Sequence, residues 1–118
     1  MAISEAFNGS ASIGTTEYDL PSASTTISAQ TTDGIYQLFL DLSALVSGDE
    51  FRLRIYEKVQ SGSTQRVVQE VAFSGVQAEP IYVTPSLLFL HGWTFTMQRV
   101  TTASGADKTI NWSIRSVA

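Results

Sequence analysis

From Ser12 onward, large apolar residues alternate with polar ones in short runs, and turn residues interrupt the alternation at intervals of roughly 8 to 15 positions. A period of two places successive side chains on opposite faces of a strand, so these runs read as half-buried strands. The predicted strands cover residues 14–20, 24–30, 35–42, 50–59, 65–74, 80–84, 87–99 and 108–116. The breaks between them carry turn chemistry: Pro21-Ser22, the tight-turn pair Asp33-Gly34, and the loops Ser61-Gly62-Ser63-Thr64 and Ala103-Ser104-Gly105-Ala106-Asp107. Pro80 and Pro85 have no N–H to donate to a ladder, which puts the short run between them at an edge or a crossover. Between Asp41 and Asp49 the alternation fails. Leu42, Leu45 and Val46 fall at helical spacing with Gly48 after them, which predicts one helical turn, capped by Gly48, that closes an end of the domain. Residues 1–11 are small and polar apart from Ile3 and Phe7, and they predict a short N-terminal arm, mobile by itself and ordered by a neighbouring subunit; residues 12–118 form the domain.

Register arithmetic predicts two hairpins. Closing the chain at residues 60–64 pairs Phe51 with Phe73, Leu53 with Val71, Arg54 with Glu70 and Glu57 with Val67. Closing it near residue 103 pairs Met97 with Ile110, Phe95 with Trp112 and Trp93 with Ile114, and turns Thr94, Thr96, Asn111 and Ser113 outward. Each hairpin then has one apolar face, and two half-buried sheets must cover one another. The predicted fold is all-β: an antiparallel, jelly-roll-like β-sandwich of about eight strands.

Composition narrows the function. The chain of 118 residues has the size of one domain. It has no cysteine, which removes thiol catalysis, iron–sulfur clusters and cysteine-based zinc sites. Charged residues are only 15% of the chain, and the polar surface comes instead from 15 Ser and 13 Thr. A net charge of −4 with five scattered arginines and two lysines argues against nucleic acid, whose recognition needs clustered cations. No basic, apolar export signal begins the sequence, and Leu87-Leu88-Phe89-Leu90 is too short to cross a bilayer, so a soluble protein made in a cytoplasm, without membrane contact, is expected.

Reactive chemistry is sparse. His91 is the one histidine, and no second histidine or cysteine completes a common zinc shell around it, so it reads as a strand-end residue before Gly92. Asp41, Asp49 and Glu50 lie at the two ends of one turn, where they form either an oxygen-ligand calcium site or, as short acids at turns usually do, caps for local backbone groups. Glu57 and Glu70 fall on opposite faces of their hairpin and cannot act as a glycosidase pair. No serine sits in a Gly-x-Ser-x-Gly setting. Trp93 and Trp112 could stack on sugars, but their alternation with Phe95, Met97, Ile110 and Ile114 says core. The chain therefore reads as a non-enzyme without a cofactor or metal.

The middle of the sequence is more specific. Asp41-Leu42-Ser43-Ala44-Leu45, Gly48-Asp49, Arg54-Ile55-Tyr56-Glu57-Lys58-Val59, Ser61-Gly62 and Thr64-Gln65-Arg66, followed by an aromatic strand ending at Trp112, resemble a group of small virion structural proteins of tailed bacteriophages, of the head-decoration or cement type. The resemblance covers residues 33–116. It implies a β-sandwich bound in many copies to the capsid exterior as a homotrimer, with the major capsid protein as partner. The location it implies is the virion surface, after synthesis in the host cytoplasm. Placement in the tail, neck or fibre, and a carbohydrate-binding or host-attachment module, remain as alternatives. Ile3 and Phe7, apolar residues that a free arm would expose, are the expected partner-binding residues.

Overall fold

The computed structural model describes residues 2–117. Among them are nine strands and no helix: β1 (Ile3–Ile13), β2 (Tyr18–Asp19), β3 (Gly34–Asp41), β4 (Glu50–Glu57), β5 (Arg66–Ser74), β6 (Ile81–Val83), β7 (Leu87–Phe89), β8 (Thr94–Arg99) and β9 (Lys108–Val117). They form two antiparallel sheets. The first runs β1-β9-β3, with β6 and β7 both on the far side of β3, and the second runs β2-β8-β4-β5. β6 meets one end of β3 and β7 the other, so the two fill a single strand position interrupted around Pro85. Eight strand positions result. The chain changes sheet at every connection except the β4–β5 hairpin and the β6–β7 break, which gives the doubly wound order of a jelly roll.

Period-two alternation decides what lies between the sheets. Tyr36, Leu38 and Leu40 of β3, Phe51, Leu53 and Ile55 of β4, Phe95 and Met97 of β8, and Ile110, Trp112 and Ile114 of β9 are all buried there. The core is aromatic at one end, where Trp93 stacks on Phe89 with centroids 4.8 Å apart and meets Tyr36 at 4.3 Å. Leu42 and Leu45 plug the opposite part of the core from the β3–β4 connection.

Met1 lies outside the described residues; from Ile3 onward the segment 1–11, expected as an arm, is part of the fold, since β1 pairs with β9 from Ile3 to Ile13. Its alternation is carried by Phe7, Gly9, Ala11 and Ile13, and small residues at two of these four inward positions hide it from any hydropathy pattern. The small residues are there for the partner. A Cβ on Gly9 would stand 2.5 Å from Cζ2 of Trp112, its neighbour on β9, so bare backbone is what lets the indole lie across β1. Gly9→Val is therefore expected to destabilise by about 1–3 kcal/mol through overpacking, and urea unfolding would register it; an unchanged midpoint would contradict this seating of β1.

Other expectations also give way. The run 14–20 contributes only Tyr18–Asp19, and 24–30 forms no strand beyond isolated bridges at Ser24 and Gln30. Instead, this hydroxyl-rich segment folds over the outer face of the second sheet. Asp19, fully buried, accepts bonds from the backbone and hydroxyl of Ser22 (3.0 and 2.6 Å), from those of Ser28 (3.0 and 2.8 Å) and from the Thr94 hydroxyl (2.5 Å). Glu17 accepts bonds from the Tyr56 and Thr96 hydroxyls and from Arg54. Thr94 and Thr96, expected on a wet face, are consequently buried. The predicted strand 87–99 splits at residues 90–93 into β7 and β8, which lie in different sheets.

The helical turn does not form; two successive turns take its place, closed by Leu45 N–H to Leu42 (3.2 Å) and Asp49 N–H to Val46 (3.0 Å). Gly48, at φ +92°, takes the left-handed third position of the second turn. The β4–β5 hairpin holds the predicted pairs Phe51–Phe73, Leu53–Val71 and Arg54–Glu70, but a bulge after Ile55 sets Glu57 against Arg66 instead of Val67. The second predicted hairpin is absent, since β8 pairs with β2 and β4 while β9 pairs with β1 and β3. Its apolar residues still meet, across the core rather than along a ladder.

Candidate functional site

The residues singled out for chemistry are scattered; Glu50 is exposed at the start of β4, and the Asp41 and Asp49 carboxylates have structural tasks. Asp49 is buried; its carboxylate accepts the Val46 N–H (2.8 Å) and the Ala106 N–H (3.1 Å), and Lys108 Nζ lies 3.6 Å away. Burial pushes the Asp49 carboxyl upward, but the two backbone donors and the Lys108 ammonium outweigh it and hold the group below its usual range. Asp41 accepts the Ser43 N–H (3.0 Å), and the Ser43 hydroxyl and N–H hold its carboxyl low. These acids cap turns, and the described residues hold no cluster of three or more metal-ligating side chains. Around His91, the neighbouring N–H groups of Leu90 and His91 itself donate to Glu57 (2.9 and 3.3 Å), which ties the bend to the end of β4. Both tryptophans face inward, Trp93 with its Nε1–H on the Thr32 carbonyl (3.0 Å), so neither offers a ring to a sugar.

Ile3 and Phe7, expected together as partner contacts, are separated by the fold. The bulge between Glu5 and Phe7 turns Phe7 inward, half-buried against the core with its ring edge-on to Trp93 at 6.3 Å. Ile3 stays outside, 71% exposed.

Ile3 does not stand alone. Reading across the outer face of the first sheet, Ile3 is opposite Val117, Val117 opposite Ile35, and Ile35 opposite Leu88. This row crosses four strands at one end of the sandwich, and Leu88 is 81% exposed. Leu90, also exposed, follows it around the bend. Farther along β3 the same face carries Phe39 beside Val83, and Asp41 beside Ile81, so apolar surface continues along the β3–β6 border. Isolated exposed apolar residues are ordinary, so it is the continuity of the row across the sheet that makes this face the candidate contact surface. The sequence held a signal for it: Leu87-Leu88-Phe89-Leu90 is apolar in both phases of the alternation, which a strand with one wet face has no reason to be.

A shallow groove of about 180 Å³ runs beside the row, between Ile3, Ile35 and Val117 on one side and Phe39 and Arg115 on the other. The guanidinium of Arg115 sits over the Phe39 ring, its Cζ 3.8 Å from the centroid, and its Nε donates to Ser113 Oγ at 3.2 Å. Glu5, paired with Arg115 in register, turns its carboxylate to the Ser113 hydroxyl (2.5 Å) and the Asn8 amide (2.7 Å). Those two bonds, in that order, hold the Glu5 carboxyl below its ordinary range, with a smaller contribution from Arg115.

No protein-family model matches the sequence, and no curated protein sequence does. Among solved structures, the chain is similar to one described as the structure of Eiger TNF from S. frugiperda, with 13% identity, 96% of this chain and 87% of that chain covered, and a TM-score of 0.43.

Proposed function

We propose that this chain is a virion structural protein, without enzymatic activity, that decorates a phage capsid from outside and stabilises it by multivalent binding to the major capsid protein lattice. The observation that carries the reading is the apolar row on an uncovered sheet face, with Ile3, Ile35 and Leu88 exposed and Val117 half-buried between Ile3 and Ile35, joined to the resemblance of residues 33–116 to head-decoration proteins.

Size argues for many contacts rather than one. Four strands span about 15 Å, so the row and its flanks make a patch of a few hundred Å², well short of the roughly 800 Å² per partner of a stable interface. One copy therefore holds weakly. A homotrimer that engages several lattice subunits gains from the high effective concentration of its second and third contacts. The surrounding surface suits this task, because its many short Ser and Thr side chains lose little rotamer freedom when they are buried against a neighbour.

The test is addition of the purified protein to expanded, undecorated heads. The expected result is fixed stoichiometry, greater resistance of the heads to heat or chelators, and little change in binding between about 50 and 200 mM salt, where a phosphate-directed interaction would collapse. Leu88→Ser should weaken binding about tenfold or more by removing a large apolar contact, without loss of fold, since Leu88 lies outside the core. A handful of copies per particle, or copies confined to the tail, would overturn decoration in favour of a tail, neck or fibre role.

A further inference from the structure

We propose that the Arg115 groove recognises an acidic segment of the partner, a carboxylate flanked by aliphatic side chains: the carboxylate meets the guanidinium, and the hydrocarbon lies along the Ile3–Val117–Ile35 wall. The inference rests on reading this face as the contact surface, and it names the chemistry of what the face contacts.

Charge complementarity selects the occupant. The chain carries a net charge of −4, yet Arg115 is the one cation at the outward positions of β1, β3, β6, β7 and β9. It is held in place by the Phe39 ring beneath its Cζ and by the Nε–H bond to Ser113, while its two terminal amino groups have no hydrogen-bond partner among the described residues. Glu5, the carboxylate nearest in register, is already committed to Ser113 and Asn8. A guanidinium anchored at its Nε with free terminal N–H groups presents a fork that matches the two oxygens of a carboxylate. A phosphate dianion fits less well, because Ile3, Ile35 and Val117 line the groove where a second cation would have to stand. The groove, at about 180 Å³, holds one carboxylate and a few methylene groups.

Hexanoate serves as the probe, followed by amide and arginine side-chain shifts in NMR spectra of the folded protein. The expected result is saturable shifts at Ile35, Gln37, Val117 and the Arg115 Nε–H, in the roughly millimolar range of a small ligand, with affinity about tenfold weaker in Arg115→Gln. Hexanol or hexylammonium producing the same shifts, or Arg115→Gln binding hexanoate as the parent does, overturns the proposal. So does self-association that occupies the groove and vanishes in Leu88→Ser, since the occupant is then a second copy. The head-binding assay separates the two readings. Hexanoate binding without decoration of heads removes the capsid reading and leaves the site; decoration unaffected by Arg115→Gln, with no hexanoate binding, removes the site and leaves the capsid reading.

Discussion

Trp93→Ala is expected to lower the free energy of unfolding by about 3–5 kcal/mol, a large part of the roughly 5–15 kcal/mol that holds a domain of this size. The ring is fully buried and joins both sheets: it stacks on Phe89, contacts Tyr36, and meets Phe95 and Phe7 edge-on at 5.9 and 6.3 Å. No single neighbour can collapse into the space it leaves. A paired substitution separates volume from hydrogen bonding. Trp93→Phe removes one of two donors to the Thr32 carbonyl, the other being the Tyr36 hydroxyl at 2.9 Å, together with part of a fully buried ring, and should cost about 1–3 kcal/mol. Trp112→Phe removes a buried Nε1–H that has no partner among the described residues, so the lost volume is partly offset and the cost should stay under about 1.5 kcal/mol. Trp112→Ala, which removes the whole ring, returns to about 3–5 kcal/mol. Urea unfolding of the four variants checks the series, and equal losses for the two phenylalanine substitutions would contradict the hydrogen-bond assignment.

Asp49→Ala is the second large effect, at about 2–4 kcal/mol, because it leaves the N–H groups of Val46 and Ala106 without their acceptor and removes the partner of Lys108. The side chain ties the β3–β4 turn to the segment that carries the chain from β8 to β9. Gly105 must be bare for this contact, since a Cβ there would overlap Asp49 Oδ1. The same bonds predict the acid limb of stability. A carboxyl held below its ordinary value of 3.8 in the folded state contributes fully above that pH, and the contribution disappears as pH falls through the lowered folded value. Glu5, Asp41 and Glu70, also held low, add in the same direction. Thermal unfolding from pH 6 down to about 2 should show the parent losing stability below about pH 4 and Asp49→Ala losing less of it. Parallel curves for the two proteins would remove Asp49 as a source of the acid sensitivity.

The Arg54–Glu70 pair shows how far local arithmetic reaches. Counting outward from the loop placed these residues opposite one another, and they meet at 2.7 Å. The same count fails from Tyr56, two residues after Arg54, because the bulge after Ile55 inserts one residue that period-two counting cannot see. Nothing in the sequence announces the Glu17 carboxylate that joins Arg54 from a distant loop at 3.3 Å. Of the candidate site, Ile3 was legible as an apolar residue spent on the surface. Its neighbours in the row were not, since Val117, Ile35 and Leu88 come together only through three separate strand pairings.

Alternation by itself determined that the chain is all-β, which residues face the core, and where most turns fall, because each of these depends on the burial of nearby side chains along one strand. Beyond the β4–β5 hairpin, tertiary structure alone decided which strands are neighbours. Phe95 and Trp112 are inward-facing in a hairpin and equally in strands of opposite sheets, so their pattern is blind to the difference. What distinguishes the two is a set of contacts remote in sequence, among them Asp49 on Ala106, Gly9 under Trp112 and Asp19 under Thr94. Contacts of that kind are stable only after the chain has closed around them, and for this reason the segment Ile3–Ile13, too small at two of its inward positions to declare a buried face, is a strand of the first sheet where an arm was expected.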